Sequence, residues 1–204
     1  SRALQRTFSL TEDMSLLYPI RRTRPHMTTK RKFFRFDPDK AIQAILFVAR
    51  SITGATFHQI SKIIYFADKD HLQKYGRLIC GDSYVAMKHG PVPSGIYDIM
   101  KAVRGDGSSD CIEQAEKSFA VQGQHTVVPK TEVNMDTFSQ SDIECLTAAI
   151  KQYGHLSFSQ LTDLSHDKAW EGADENDIID LEQIIATLPD GPALLEHLQE
   201  QSTA

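Results

Sequence analysis

The sequence predicts a mainly α-helical fold of the α+β class, a compact helical domain with a small β-sheet or hairpin element. Three observations support this prediction. Apolar residues recur at helical spacing through most of the chain after residue 37. Helix-capping residues precede these stretches and glycines follow them. Two short stretches, at 84–89 and 119–128, instead have a strand-like composition bounded by glycine or proline.

Two helices open the predicted domain. The first begins at Asp37-Pro38, where an N-cap acceptor precedes a proline at the first helical position, and it ends near Ser51. Thr56 is a suitable cap for the second helix, whose apolar stripe continues to a stop at Tyr75-Gly76. We expect residues 77–82 to form a connector or a short strand that ends in a turn.

The domain is organised around a strand, a corner and a helix that follow one another. Residues 84–89 alternate as in a half-buried strand. In the run Gly90-Pro91-Val92-Pro93, the glycine permits a positive φ and the prolines restrict the backbone, so we expect a rigid corner here. A helix then begins at Pro93 or Ser94 and stops at Gly105.

The remaining pattern predicts a turn, a β-hairpin and four further helices. The turn is 106–110 and the hairpin 119–128. The first helix carries the apolar residues 143–150 and ends at Tyr153-Gly154, the second runs through Leu161 and Leu164, and the last two are 177–188 and 193–198. We expect Ser139 or Ser141 to cap the first of these helices, and Ser157 or Ser159 to cap the second.

Charge divides the 204 residues into two parts. The formal net charge is -5, but residues 1–36 hold nine Arg and Lys against two acids, whereas residues 37–204 hold thirteen against 25. We therefore expect a basic N-terminal arm (1–36) and an acidic domain (37–204) that ends in a helix. An acidic domain is poorly suited to nucleic acid. The arm could contact RNA, DNA, an acidic protein surface or its own domain.

The arm leaves two further alternatives open. Pro25-His26-Met27 is typical of what a cloning site leaves before a start codon, so on one hypothesis Met27 is the native first residue. On the other hypothesis the whole arm is native. Residues 30–36 form a basic, aromatic lead-in to the first helix. This lead-in either contacts a partner or packs its Phe side chains on the domain.

Composition favours a cytoplasmic protein without a membrane segment. No apolar run approaches the roughly 20 residues that a transmembrane helix needs, and the N-terminus lacks a signal-peptide hydrophobic region. Cys80, Cys111 and Cys145 are an odd number, widely spaced and without a CxxC pair. This usage is typical of a reducing compartment rather than of a disulfide framework.

The sequence lacks the motifs of common catalytic, metal and nucleotide sites. Neither HExxH nor HxH occurs, and phosphate-binding glycine motifs are also missing, so we predict no metal and no cofactor. Ser165-His166-Asp167 are neighbours in sequence, whereas the members of a catalytic triad meet through the fold. Helices 38–51 and 57–75 are arranged like a helix-turn-helix, but the charges of the second are too balanced for DNA recognition. A protein-binding module is favoured over an enzyme.

Several motifs resemble those of the Panacea antitoxin domain, also called SocA-like. They occur in the family's order between about residues 38 and 172, and the insert around 106–140 departs most from the family. The motifs are Lys62-Ile-Ile-Tyr65-Phe-Ala-Asp68, His71-Leu72, Tyr75-Gly76-Arg77, Gly81-Asp82, Tyr84-x-Ala86, His89-Gly-Pro-Val-Pro-Ser-Gly-Ile-Tyr97 and Leu161-Thr-Asp-Leu164-Ser-His166-Asp-Lys-Ala-Trp170.

The resemblance implies a mostly helical antitoxin of a two-gene toxin–antitoxin system, without catalytic activity. Family members commonly neutralise toxins by direct protein–protein binding, and their partners include translation-blocking small alarmone synthetase-like enzymes. One member instead works as an adaptor that delivers its toxin to a AAA+ protease. The expected partner is thus a cognate protein toxin, with a AAA+ protease as the alternative second partner, in a setting of prophages and phage defence. Neither membrane nor nucleic acid is expected as a partner.

We expect the motif residues to hold the scaffold or to line a binding site. They are Tyr65, Asp68, His71, Tyr75, Arg77, Asp82, Tyr84, His89, Gly90, Pro91, Pro93, Ser94, Tyr97, His166 and Trp170. Asp68, His71 and His89 are the polar candidates for a buried hydrogen-bond network or a binding cleft. Partner specificity is expected in residues 28–36, residues 106–140 and the C-terminal helix.

Two other hypotheses remain open from the sequence. One is an enzyme that uses Asp68, His71 and His89 on an unidentified substrate. The other is a DNA-binding regulator of its own operon.

Overall fold

The computed structural model describes residues 33–201, whereas residues 1–32, which include Met27 and most of the basic arm, and residues 202–204 lie outside the described part. The predicted class is confirmed, since helices predominate and the sheets are small and antiparallel. The helices are α1 (Pro38–Ser51), α2 (Phe57–Tyr75), α3 (Ser94–Arg104), α4 (Ile112–Ser118), α5 (Gln140–Tyr153), α6 (Phe158–Ser165), α7 (Lys168–Glu171), α8 (Leu181–Ala186) and α9 (Gly191–Gln201). The strands are β1 (Tyr84–Met87), β2 (Gly90–Pro93), β3 (Phe119–Gln122), β4 (Thr126–Pro129) and β5 (Ile178–Ile179).

The helix starts follow the capping pattern of the sequence. The side chains of Asp37, Thr56, Ser139 and Ser157 each accept a hydrogen bond from a backbone N–H in the first turn of α1, α2, α5 and α6. Gly76 ends α2 with φ of 70°, a left-handed conformation that glycine adopts without steric cost. The predicted caps Asp37 and Thr56 are confirmed, and of the alternative caps of α5 and α6 the structure shows Ser139 and Ser157.

The run Gly90–Pro93 corrects the prediction of a simple corner. It forms strand β2, which pairs antiparallel with β1 in a three-stranded sheet of order β2-β1-β5. β2 lies at the edge of this sheet, where prolines are tolerated because no further strand needs the N–H groups that they lack.

Two further elements differ from the prediction. Residues 177–188, a single helix in the prediction, contain strand β5 beside β1, and α8 begins only at Leu181. Backbone pairing with β1 here outweighs the helical spacing of a short apolar run. Helix α4 has no predicted counterpart, because seven residues are too few to establish a helical period.

The predicted hairpin is confirmed as β3 and β4, and it packs against the start of α2. Its register joins Phe119 to Pro129 at the open end. The backbone N–H of Phe57 donates to the carbonyl of His125 at 2.9 Å, and that of Val127 donates to the carbonyl of Ala55 at 2.9 Å. These bonds bring the hairpin turn to the first residues of α2.

Helix α2 runs through the centre of the domain and contributes to both apolar clusters. Ile60, Ile63 and Ile64 are fully buried in the larger cluster, which α1, α3 and α5 complete. Tyr65 and Leu72 belong to the smaller cluster, with residues of β1 and the C-terminal helices. Each fully buried Ile contributes roughly 1.5–3 kcal/mol of transfer free energy, so these residues of α2 contribute substantially to core stability.

The described part of the aromatic lead-in packs on the domain. Phe36 contacts the larger cluster and Phe34 the smaller one. The ring of Phe36 fills the space that a side chain at Gly95 would need, and the carbonyl of Arg35 lies against Gly81. These contacts favour the interpretation in which the Phe side chains attach the lead-in to the domain.

Asp82 caps α3 from outside the helix. Pro93, the residue at the N-cap position, makes no side-chain cap. The carboxylate of Asp82 instead accepts hydrogen bonds from the backbone N–H groups of Gly95 and Ile96, both at 2.9 Å, and of Ser83 at 2.7 Å. Burial raises the pKa of Asp82, and these hydrogen bonds act against that rise. The connector after α2 is thereby attached to the start of α3.

Substituting Asp82→Asn should weaken this attachment. The amide keeps the shape of the side chain but places an N–H₂ group against backbone N–H donors. We expect the free energy of unfolding to fall by about 2 kcal/mol, measured by urea denaturation at pH 7. Asp98→Asn, at an exposed position of the same helix, is the matched control and should change it by less than about 0.5 kcal/mol. Equal effects of the two substitutions would contradict the capping role.

Candidate functional site

The buried carboxylate of Asp68 joins α2 to the segment that follows it. Asp68 is 1% exposed and accepts hydrogen bonds from the hydroxyl of Tyr84 at 2.6 Å and the backbone N–H of Ile79 at 2.7 Å. Burial raises the pKa of Asp68 to about 6, although both hydrogen bonds favour the ionised form. Asp68 therefore holds β1 and the connector against α2 and does not face solvent.

A second buried carboxylate, that of Asp142 in α5, collects side chains from other parts of the fold. It lies 2.9 Å from Nζ of Lys40, 2.8 Å from Nη2 of Arg77 and 3.2 Å from Nε2 of His71. Burial alone would raise its pKa, but hydrogen bonds from His71, Lys40 and Ser139 hold the pKa of Asp142 well below its usual range. The motif residues His71 and Arg77 thus serve the packing of α5 on α2.

The closing motif is tied to α2 and to β1. The hydroxyl of Tyr65 and the ammonium of Lys69 both donate to Oδ2 of Asp167, at 2.8 and 2.6 Å. The indole N–H of Trp170 donates to the carbonyl of Met87 at 2.9 Å. Motifs that lie some hundred residues apart in sequence therefore meet in the fold.

Lys62 is a charged residue in an unusual environment, because its side chain has no exposed area. Its Nζ donates one hydrogen bond, to the carbonyl of Pro91 at 2.8 Å. Among residues 33–201, no carboxylate forms an ion pair with this ammonium. Burial lowers the pKa of Lys62 to about 7, so the amine is partly neutral at neutral pH.

Gly90 packs directly over Lys62. A Cβ at Gly90 would lie 2.8 Å from Nζ of Lys62 and would collide with Oγ of Ser165, and the φ of 93° also favours glycine.

His166 lies next to this contact, and its ring stacks on Trp170 with a centroid distance of 3.7 Å. In the described part of the chain, Nε2 of His166 is the buried side-chain nitrogen without a hydrogen-bond partner. Burial lowers the pKa of His166.

The three polar candidates Asp68, His71 and His89 do not form one site. Asp68 and His71 are buried but hydrogen-bond to different partners, since Nδ1 of His71 faces the carbonyl of Arg77 at 2.9 Å. His89 is exposed, and its ring packs edge-on against Phe158 at a centroid distance of 5.2 Å. This placement does not support an enzyme that uses the three side chains together.

The other motif residues occupy the surface or the edge of the small sheet. Tyr75 is 45% exposed at the end of α2, and Tyr97 is half-buried on α3. Pro91 and Pro93 are buried in β2, and Ser94 begins α3.

A cavity of about 550 Å³ lies between the start of α2, the β1–β2 turn, α3 and the start of α6. Lys62 and His89 line it, together with His58, His125 and Phe158, which the sequence analysis does not identify. No sequence signal relates these three residues, because they belong to separate elements. The position of Lys62 between Ile60 and Ile63-Ile64 in α2 is the sequence feature that indicates an unusual environment.

The described residues offer no metal site and no membrane segment. Within 33–201, no three side chains of His, Cys, Asp or Glu come together in a way that could hold a metal ion. The cysteines of this part are free thiols. No helix in the same range is both long enough and apolar enough to cross a bilayer.

One comparison with known proteins gives a match. A family model described as antitoxin SocA-like, Panacea domain, matches residues 60–171, more than half of the chain. This range extends from α2 to α7 and contains the buried carboxylates, Lys62 and the closing motif. No curated protein and no solved structure matches the chain.

Lys62→Met should stabilise the protein in a pH-dependent way. The unfolded chain keeps this amine protonated to about pH 10.5 and the folded protein loses the proton near pH 7. The unfolded state therefore binds more protons in between, and wild-type stability rises with pH. We expect the variant to be more stable than wild type at pH 7.5, with an advantage about 2 kcal/mol smaller at pH 9.5.

Paired urea denaturations at the two pH values, above ordinary histidine titration, measure this change. Lys151→Met, at an exposed position of α5, is the matched control and should stay within about 0.5 kcal/mol of wild type at both pH values. A constant advantage of Lys62→Met over this range would show that Lys62 keeps its proton in the folded protein.

Proposed function

The chain belongs to the antitoxin SocA-like, Panacea domain family, and we propose that it neutralises the toxin of its own toxin–antitoxin system by direct protein–protein binding. The partner is a protein with a basic surface. The binding surface is the segment 163–201, which we call the acidic segment. The toxin class that the resemblance favours is a translation-blocking, small alarmone synthetase-like enzyme.

Charge is the observation that carries this proposal. The acidic segment holds eleven Asp and Glu against one basic residue, Lys168, and nine of the eleven acids are exposed. Such a surface attracts a basic protein over a Debye length and raises the rate of productive encounters. If the toxin binds RNA through a basic surface, the acidic segment would cover that surface and block RNA binding.

Exposed apolar residues lie within and beside the acids. Leu164, Ile178 and Phe158 are each 53% exposed. Ile178 lies in β5, between the exposed Asp177 and the buried Ile179. An interface needs apolar anchors that become buried as well as charges that orient the partner, and this region offers both.

The internal role of the motif residues supports the same conclusion. Asp68, His71, Asp82 and Tyr84 are hydrogen-bonded inside the domain, so they are suited to stabilise a common scaffold. Specific binding to one toxin is then left to surface residues. On this proposal residues 37–204 act as one domain, in the cytoplasm.

Co-expression with the neighbouring gene of its operon tests the proposed function. We expect the neighbour alone to arrest growth and this protein to relieve the arrest while forming a complex that copurifies. Relief without a stable complex, and only in cells that contain a AAA+ protease, would establish the adaptor mechanism instead. A harmless neighbour would contradict the antitoxin proposal, and binding of upstream DNA in a shift assay would then favour a regulator.

The binding surface has a separate test on the same pair. The triple variant Asp174→Asn, Glu175→Gln, Asp177→Asn should lower the association rate with the toxin at least tenfold at 50 mM NaCl. For wild type, that rate should fall by a similar factor between 50 and 500 mM NaCl.

The matched control removes three exposed acids of the insert, Asp110→Asn, Glu113→Gln and Glu116→Gln, and should change the rate less than threefold. A larger effect of the insert triple than of the 174–177 triple would place the toxin on residues 106–140. Wild-type association that is independent of salt would exclude the electrostatic mechanism.

A further inference from the structure

The cavity beside Lys62 has the size and the walls of a small-molecule site. Its volume of about 550 Å³ lies within the range of roughly 300–1,000 Å³ that is typical of ligand pockets. Phe57, Tyr97 and Val92 form apolar parts of its wall, and His125 packs edge-on against Phe57 at a centroid distance of 5.6 Å. Such walls suit a flat, apolar body.

Phe158 completes the wall on the solvent side. Its ring stacks on His58 with centroids 3.9 Å apart and an interplanar angle of 26°. It also meets His89 edge-on at 5.2 Å. At 53% exposure, this ring gains apolar burial when a second flat ring packs against it.

Lys62 supplies an unbalanced charge in the same cavity. An ammonium has three N–H donors, but Nζ of Lys62 has one acceptor, the carbonyl of Pro91. Its side chain is fully buried and has no carboxylate partner among the described residues. Burying a lysine without a counter-ion is costly, and an anion inside the cavity would remove that cost.

The neighbouring groups favour an anion over a cation. Burial lowers the pKa of His58 to about 4, and the nearby positive charges of Lys62 and His89 act in the same direction. The acidic residue of the lining is Glu175, which is exposed. The inner part of the cavity therefore lacks a negative charge that would balance the ammonium of Lys62.

We propose that this cavity binds a small aromatic anion, in which a flat apolar body packs against Phe158 and Tyr97 and one carboxylate or phosphate group lies against the part of the wall that contains Lys62, whose buried charge it offsets. The occupant is a small molecule, since the volume matches a ligand of that size. Binding of the ligand requires no toxin, so the test of this site can succeed or fail independently of the test of the antitoxin proposal. Glu175 belongs both to the lining and to the acidic segment, which places the ligand next to the proposed toxin surface.

Calorimetric titration of the full chain with three matched probes tests the site. The probes are 2-naphthoate, 2-naphthyl phosphate and the neutral 2-naphthalenemethanol. We expect at least one anion to bind with a dissociation constant below about 1 mM, within the efficiency limits of ligands of this size, and the alcohol to bind at least tenfold more weakly. The anion that binds more tightly identifies carboxylate or phosphate as the preferred group.

Three variants locate the binding. Lys62→Met should weaken the anion at least tenfold and leave the alcohol unchanged, and Phe158→Ala should weaken both probes. Lys151→Met is the matched control, because Lys151 is exposed on α5 and does not line the cavity, and it should change the affinity for the anion less than threefold.

Four results would overturn the proposal. Three of them concern affinity: no anion binding to the wild type at 10 mM probe, equal anion binding by Lys62→Met and wild type, and equal losses in Lys151→Met and Lys62→Met. Nuclear Overhauser contacts between the naphthyl protons and the ring of Phe158 are expected in the wild type, and contacts only to residues outside the cavity would likewise refute the site.

Discussion

Three buried carboxylates hold this fold together, and most of its other features depend on them. Asp68, Asp82 and Asp142 each accept hydrogen bonds from elements other than their own. The donors lie in the connector and β1 for Asp68, at the start of α3 for Asp82, and in α1 and α2 for Asp142. A buried carboxylate is costly unless its oxygens are satisfied. Each of the three therefore selects the one arrangement of neighbouring elements that satisfies it.

Lys62 is the counterpart of these carboxylates, since it is equally buried but unpaired. The carboxylates place the β1–β2 turn over α2, and Gly90 then covers the ammonium so closely that a methyl group would not fit. An apolar side chain of similar length would be more stable there. Lys62 thus lowers the free energy of unfolding at a position beside a cavity. A residue that is costly for stability is typical of a binding site rather than of a scaffold.

Much of the fold could be predicted from the sequence, because the information is local. The caps at Asp37, Thr56, Ser139 and Ser157 fix helix starts through neighbouring residues alone. β2 and β5 could not be predicted, because they are strands only by pairing with β1. The same holds for the cavity, where His58, His125 and Phe158 are brought together by the packing of separate elements.

On the proposed function, the location of the motif residues separates the scaffold from the surface that would bind the toxin. Residues that carry the resemblance, such as Asp68, His71 and Trp170, use their polar groups in hydrogen bonds within the domain. The acids of the acidic segment contribute little to the packing of the core, since nine of the eleven are exposed. Surface charges of this kind can change at a cost of a few tenths of a kcal/mol, so partner choice can vary while the carboxylates keep the scaffold fixed.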